Sequence, residues 1–480
     1  MKIALINTWK STHPHLGLGY IASYLRKKGF TDILIIEENE PLTAIRKFSP
    51  DVVGFFSYTP NYSKVLTIAM KVKKELGIPV ILGGPHISSL PHKLDNAFDI
   101  GVLGEAEQTM AELMNLLRTG RLDKENLSLV DGICYHSEGH VIVNKERGPI
   151  KNLDEIPFPA RDLLDMKYYL SEENDILSTQ EKIRGTTIIT SRGCPYRCIY
   201  CQSKKLFPVA RYHSAEYVAR EIKELYYKYN AGAIAIDDDL FIANKKRLID
   251  IVELLEKAGI LGKIKFYCSA RANLVNPELV ELLKRLNVVQ VNIGFETGSD
   301  RMLRYLKNNS VTIEDHERAV KLLNESNILI YGNFMIGSPG ETKEEMIATL
   351  DFFKNHDINI ATLNITTPLP GTVIWEDAAK KGIVKENMDW SKFFNSLDKP
   401  EDQIYINEIV PHDEFMKIFK EFRSEIIKKS MHNWEKSASL IEMIKRFLRH
   451  PKNNIRVLIK NRREVMRFAI NKIKPLKKKE

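Results

Sequence analysis

The stretch "TTIITSRGCPYRCIYCQ", Thr186 to Gln202, joins a strand-like run to three cysteines crowded into eight residues. Thr and Ile in succession suit a strand buried on both faces. The segment that follows carries Cys194, Cys198 and Cys201 in the spacing CxxxCxxC. Downstream, "AIAID", "IKFYCSA", "VVQVNIGFE", "LIYGNFMIG" and "IATLNIT" repeat the pattern of a short apolar strand followed by a helical or loop segment. Strands in regular alternation with helices point to a (β/α) barrel, or most of one, whose chemistry sits on the loops after the strands. The cysteines stand on the first of those loops.

Upstream, "KIALIN", "DILIIEE", "DVVGFFSY", "IPVILGG" and "DIGVLGE" are again apolar strands, with helical patterns over 18–28, 64–76 and 106–117 between them. This order predicts a doubly wound, Rossmann-like parallel sheet. A hairpin, "GICYHSEGHVIVN", and the proline-broken "LDEIPFPARDLL" separate it from the barrel. The expected boundaries are 1–130 for the first domain, 131–180 for hairpin and linker, 181–390 for a partial (β/α)6 TIM-like barrel, and 391–480 for a helical C-terminal region.

Of the 480 residues, 44% are hydrophobic and 28% charged, an ordinary soluble composition. No secretory signal or membrane span is read, so a cytoplasmic location is expected. The net charge of +9 is concentrated in 441–480, where fourteen Lys and Arg face three Glu. Between 431 and 475, aliphatic residues recur at helical spacing among these cations, which suits packing on the parent domain, an anionic membrane surface or nucleic-acid phosphate. Bulky aliphatics with few aromatics favour the membrane over nucleic acid. Peripheral contact with the inner face of the membrane through 441–480 is therefore an expectation.

Five cysteines in a reducing compartment make a poor disulfide framework. A closed zinc site needs four ligands, and the nearest downstream histidine, His213, lies twelve residues past Cys201. Iron-sulfur cubanes ordinarily take four thiolates. Three on one loop leave an iron open for a substrate or cofactor. Cys268, in mid-strand, reads as a core thiol.

The cysteine spacing after a first barrel strand, with the aromatic Tyr200 before the last cysteine, resembles the radical S-adenosylmethionine (SAM) superfamily. The resemblance implies a [4Fe-4S] cluster on Cys194, Cys198 and Cys201, with SAM chelating the open iron and cleaved reductively to a 5'-deoxyadenosyl radical. It further implies SAM contacts at Tyr200, at Asp238 within "IDDDLF", at Glu296 within "GFETGSD" and at Gly337 within "MIGSPGET". Glu296 is the expected partner of the ribose. The Asp triplet reads equally as a solvated turn with one helix cap. Arg271 would pair with the SAM carboxylate, or form a surface salt bridge.

The first domain lacks GxGxxG. Its "LGLGYIASYL", "GGPH" and "GEAE", with "PFPARDLL" and "PLPGT", resemble the cobalamin-binding members of the radical SAM family. That implies cobalamin contacts at Gly17, Ser57, Thr59, Gly83, Gly84, His86, Gly104 and Glu105. The DxHxxG motif that supplies an axial histidine in many other cobalamin proteins is absent, so no protein histidine is expected on the lower face. Methylthiotransferases of transfer RNA are set aside, because no cysteine precedes Cys134. The function expected is methylation of an unactivated carbon in a small-molecule or lipid substrate, with flavodoxin or ferredoxin as electron donor. Alternatives are oxidative cyclisation or ring rearrangement with the same cofactors, and a nucleic-acid-binding module with a structural cluster. No catalytic acid or base is nominated.

Overall fold

The computed structural model describes residues 1–172, 183–393 and 400–437. Both sheets belong to one compact unit, Met1–Lys420. The basic segment 441–480 lies outside the described residues. Among the described residues no helix is long and apolar enough to cross a membrane.

The first sheet contains β1 (Ile3–Asn7), β2 (Ile33–Glu37), β3 (Val52–Phe56), β4 (Val80–Gly83), β5 (Ile100–Val102), β6 (Ile133–Ser137) and β7 (His140–Val143). Their spatial order is β2-β1-β3-β4-β5-β6-β7, with the first five parallel. All five residues of β1 are buried, because helices cover both faces. The helix Tyr62–Leu76 shows why: Tyr62, Val65, Ile68, Ala69 and Val72 line one buried stripe, and Gly77 stops it in the left-handed region at φ +63°. The hairpin β6–β7 does not stand apart as a linker. It adds two antiparallel strands to this sheet. Gly101 makes room for it, since a Cβ there would lie 2.5 Å from Cys134 Sγ.

The second sheet follows two short pieces in one antiparallel pair. In chain order its members and that pair are β8 (Gly185–Ile188), β9 (Ser191–Arg192), β10 (Arg211–Tyr212), β11 (Ala233–Ile236), β12 (Lys265–Ala270), β13 (Val288–Glu296), β14 (Leu329–Ile336) and β15 (Ile360–Ile365). Strands β15-β14-β13-β12-β11-β8 form a parallel arc whose ends do not pair, which is a partial (β/α)6 barrel. Burial alternates along β12, β14 and β15, with Phe266, Cys268, Ile330, Phe334 and Leu363 turned into the core. The other face of these strands is the inside of the arc.

The proline-rich connection fastens the sheets together. Ala160 N–H donates to Gly19 O at 3.0 Å, and a Cβ on Gly19 would lie 2.9 Å from Pro159 Cβ. Arg161 then reaches into the barrel, where Nη1 meets Glu221 Oε1 at 2.6 Å and Nη2 donates to Thr187 O at 2.8 Å. Both partners of this ion pair are buried.

Candidate active site

The loop after β8 is held from below before it reaches its first cysteine. Asp238, buried after β11, accepts from the backbone N–H and hydroxyl of both Thr190 and Ser191. Burial pushes its carboxyl up, opposed by Arg247 and these hydrogen bonds. Gly193 then turns at φ +84°, where a Cβ would crowd Phe207 and Val209 at 3.0 Å.

Cys194 and Cys198 are partly exposed, Cys201 is exposed, and none is in a disulfide. Among the described residues no three His, Cys, Asp or Glu side chains converge on one point. A cubane does not ask this of its ligands, since each thiolate binds a different iron. The donor set therefore fits a cluster with one iron open to SAM.

Arg271, at the end of β12, donates Nη1 to Cys198 Sγ at 3.2 Å and Nη2 to Ser310 Oγ at 2.5 Å. Its guanidinium lies 3.9 Å from the centroid of Tyr196, and its Nε has no partner. Arg271 is thus buried beside the thiolates rather than in a surface salt bridge. Tyr200 donates its hydroxyl to Glu296 Oε1 at 2.8 Å, and Lys307 Nζ reaches the same oxygen at 2.7 Å. Glu296 sits at φ +64°, a strained position for a residue with a Cβ. It occurs where the β13–β14 register shifts between Gly294 and Glu296.

At the carboxyl edge of the first sheet the open surface is backbone. Gly104 is exposed at φ +68°, and a Cβ there would meet nothing within 4 Å. Gly84, at φ +105°, brings β4 so close to β3 that a Cβ would lie 2.5 Å from Ser57 O. Gly17 and Gly83 are half-buried on neighbouring loops. A rim cleared of side chains suits a large flat cofactor approaching the strand ends.

Several residues expected at the cofactors have other occupations. His86 is enclosed, stacked on Tyr62 at 4.0 Å and edge-on to Trp390 at 4.9 Å, and burial lowers its pKa to about 3. Ser57 and Thr59 are buried, with Ser57 Oγ donating to Asn61 Oδ1 and Thr59 Oγ1 3.3 Å from His86 Nδ1. Glu105 bonds Arg192, Arg211 and the Ile150 N–H. Burial raises its pKa, but these partners win and hold it below the usual carboxylate range. Gly337 is covered by Phe415, and its N–H donates to Glu341 Oε2. Asp238 is the latch described above, neither a solvated turn nor a helix cap.

Sequence reasoning missed Lys307 and the bridge between the two sheets made by Arg192, Arg211, Glu105 and Glu107. Arg192 Nη2 meets Glu107 Oε1 at 2.5 Å, one residue before the turn into the cysteine loop. Arg192 lies inside the stretch that opens the sequence reading. Lys307, at the end of the helix Asp300–Lys307, belongs to no motif.

Residues 188–353 match the model of the radical SAM superfamily, and residues 2–114 match that of the B12 binding domain. An uncharacterized methyltransferase of Pyrococcus horikoshii is 35% identical over 396 residues, covering 80% of this chain and 82% of the relative. The chain belongs to the radical SAM superfamily, among its members with a B12 binding domain. This radical SAM enzyme has a [4Fe-4S] cluster, SAM and cobalamin as its cofactors. An anaerobic magnesium-protoporphyrin IX monomethyl ester cyclase of Rubrivivax gelatinosus is 27% identical, covering 81% of this chain and 70% of the relative. The radical SAM fold here also overlays the methyltransferase TsrM of Kitasatospora setae, solved with cobalamin and a [4Fe-4S] cluster. That overlay has a TM-score of 0.66 at 20% identity, covering 79% of this chain and 75% of TsrM.

Proposed function

We propose that this enzyme methylates an unactivated carbon of an uncharged, hydrogen-bonding small molecule. The observation that carries the substrate class is the inside of the barrel arc. Tyr267, Ser269, Asn292, Tyr331, Asn333 and Thr362 all face inward, half-buried and neutral. Asn333 Nδ2 donates to Asn292 Oδ1, and Thr362 Oγ1 donates to Asn333 Oδ1 at 2.7 Å. Amides and phenols in such a ladder offer both donors and acceptors but no counter-charge for a phosphate and no apolar wall for a lipid. The lipid and nucleic-acid alternatives have no comparable support among the described residues.

Cluster, SAM and cobalamin together supply radical formation and a transferable methyl group. The chain's own part is to position. Glu296, with one oxygen on Tyr200 and Lys307, has its second oxygen for a ribose hydroxyl, and the left-handed backbone turns it toward the cysteine loop. Arg271 has an unpartnered Nε for a carboxylate. Methyl transfer to a carbon radical asks for no acid or base at the substrate, and the neutral arc offers none. An external one-electron donor completes the set. Oxidative ring closure is the second reading, favoured by the similarity to the cyclase.

The test is anaerobic expression with methyl-deuterated methionine, comparing cell extracts by mass spectrometry with those from the Cys198→Ala variant. A neutral polar compound gaining one labelled methyl is the expected product. One that loses hydrogens or gains oxygen without label would establish the second reading. Asn333→Leu is expected to retain 5'-deoxyadenosine formation while losing that product at least 10-fold; unchanged product would remove the ladder from the substrate site. Glu296→Gln is expected to raise the KM for SAM about 10-fold, and an unchanged KM would remove the ribose contact.

A further inference from the structure

The loop from β1 to the helix Leu16–Lys27 holds two histidines with different occupations. His15 is the helix cap: its Nδ1 accepts from Leu18 N–H at 3.2 Å, and its ring packs edge-on to Phe56 at 4.2 Å. His13 is not spent in this way. Its side chain is 34% exposed, and its Nδ1 lies 3.1 Å from Asp237 Oδ2, across the gap from the first sheet to the barrel. A carboxylate accepts, so this contact places the proton on Nδ1 and leaves the lone pair on Nε2.

The backbone holds this imidazole in place. His13 N–H donates to Ser11 Oγ at 3.2 Å, and Ser11 Oγ donates back to His13 O at 2.7 Å. Pro14 restricts the residue before it to extended conformations. Asp237 is anchored in turn, its N–H donating to Ile188 O at 2.8 Å at the end of the first barrel strand. An imidazole that gives one nitrogen's proton to a fixed carboxylate is the ordinary arrangement of a histidine that binds metal through the other.

A free divalent ion would need more ligands than this. No third His, Cys, Asp or Glu joins the pair among the described residues. A metal already held by a macrocycle needs only one. The corrin ring supplies four equatorial nitrogens to cobalt, and the carboxyl edge of the first sheet is where a doubly wound domain presents its ligand.

We propose that His13 Nε2 is the protein ligand to the cobalt of bound cobalamin, oriented by Asp237. The inference rests on the cobalamin assignment, and it departs from the sequence expectation of a lower face without histidine. That expectation looked for an Asp two residues before a His. Here the carboxylate comes from 224 residues away, on the other sheet. Ligation donates the Nε2 lone pair to cobalt and displaces water or the cofactor's own base, with no change of oxidation state.

The test is electron paramagnetic resonance of the full chain loaded anaerobically with unlabelled cob(II)alamin, with bound cobalamin quantified in each sample. In uniformly nitrogen-15 protein the cobalt lines are expected to split in two, through one axial nitrogen of spin one-half. His13→Ala should lose this splitting while still binding cobalamin, and Asp237→Ala should shrink the fraction of split signal several-fold. Three-way splitting in labelled protein would identify the cofactor's benzimidazole as the ligand and overturn the proposal. Unsplit lines with cobalamin bound would overturn it equally. Failure to bind cobalamin at all would remove the assignment beneath it, an outcome read directly from the quantification.

Discussion

The cysteine loop of the barrel and the carboxyl edge of the first sheet both serve cofactors, yet they are built differently. The first is made of side chains: three thiols, Arg271 against Cys198, and Tyr200 bound to Glu296. The second is made mostly of missing side chains, with Gly84 folded onto Ser57 and Gly104 left open. Thiolates bind iron by covalent chemistry, so their identity and spacing are fixed. A cradle for a flat macrocycle is fixed by shape, and many sequences can leave the same space empty.

The largest effect should come from the side-chain site. Cys198→Ala is expected to abolish the cluster's iron absorbance and lower SAM cleavage by more than about 100-fold, with cobalamin binding retained. Loss of cobalamin from the same variant would break the separation of the two regions. Next comes the fastening between them. Arg161→Ala strands Glu221 in the interior and should lower the unfolding free energy by about 3–5 kcal/mol, read from chemical denaturation. The double variant Arg161→Met with Glu221→Leu should recover most of that loss, because neither charge is then buried.

The backbone cradle should respond less in stability and more in binding. Gly84→Ala forces a Cβ toward Ser57 O at a left-handed backbone position, at a cost of about 1–3 kcal/mol. Cobalamin affinity should fall at least 10-fold while iron content is unchanged. Equal loss of both cofactors would mean that the two regions do not act separately.

The smallest effect concerns pH. Burial raises Glu341 to about 8, against the backbone N–H groups of Ser338 and Gly337 that favour its charged form. A carboxyl raised on folding binds more protons in the native state. Its contribution is therefore fully present below about pH 4.5 and is lost as pH rises through about 8. Glu341→Gln should flatten the fall in melting temperature across this window. An unchanged slope would assign the dependence to other groups.

The barrel was legible because strand period and cysteine spacing are local signals. "TTIIT" and the CxxxCxxC spacing pointed to β8 and the loop after it without any long-range knowledge. The hairpin β6–β7 was found, but its membership of the first sheet depends on Cys134 meeting Gly101, which no local pattern records. The same holds for the pair of His13 with Asp237 and for Lys307 with Glu296, each joined only by folding. Motif residues were also given cofactor contacts that burial makes improbable. Asp238, Glu105 and His86 sit in conspicuous motifs because they brace the loops that carry the site. A residue that braces and a residue that binds leave the same trace in one sequence.

The most direct measurement is the cofactor content of the full chain after anaerobic reconstitution with iron, sulfide and hydroxocobalamin, together with 5'-deoxyadenosine formed from SAM under reduction. The account predicts one cluster and one cobalamin on each chain, and SAM cleavage that requires the cluster. A chain that cleaves SAM but binds no cobalamin would contradict it, leaving a radical SAM barrel whose first sheet serves another purpose.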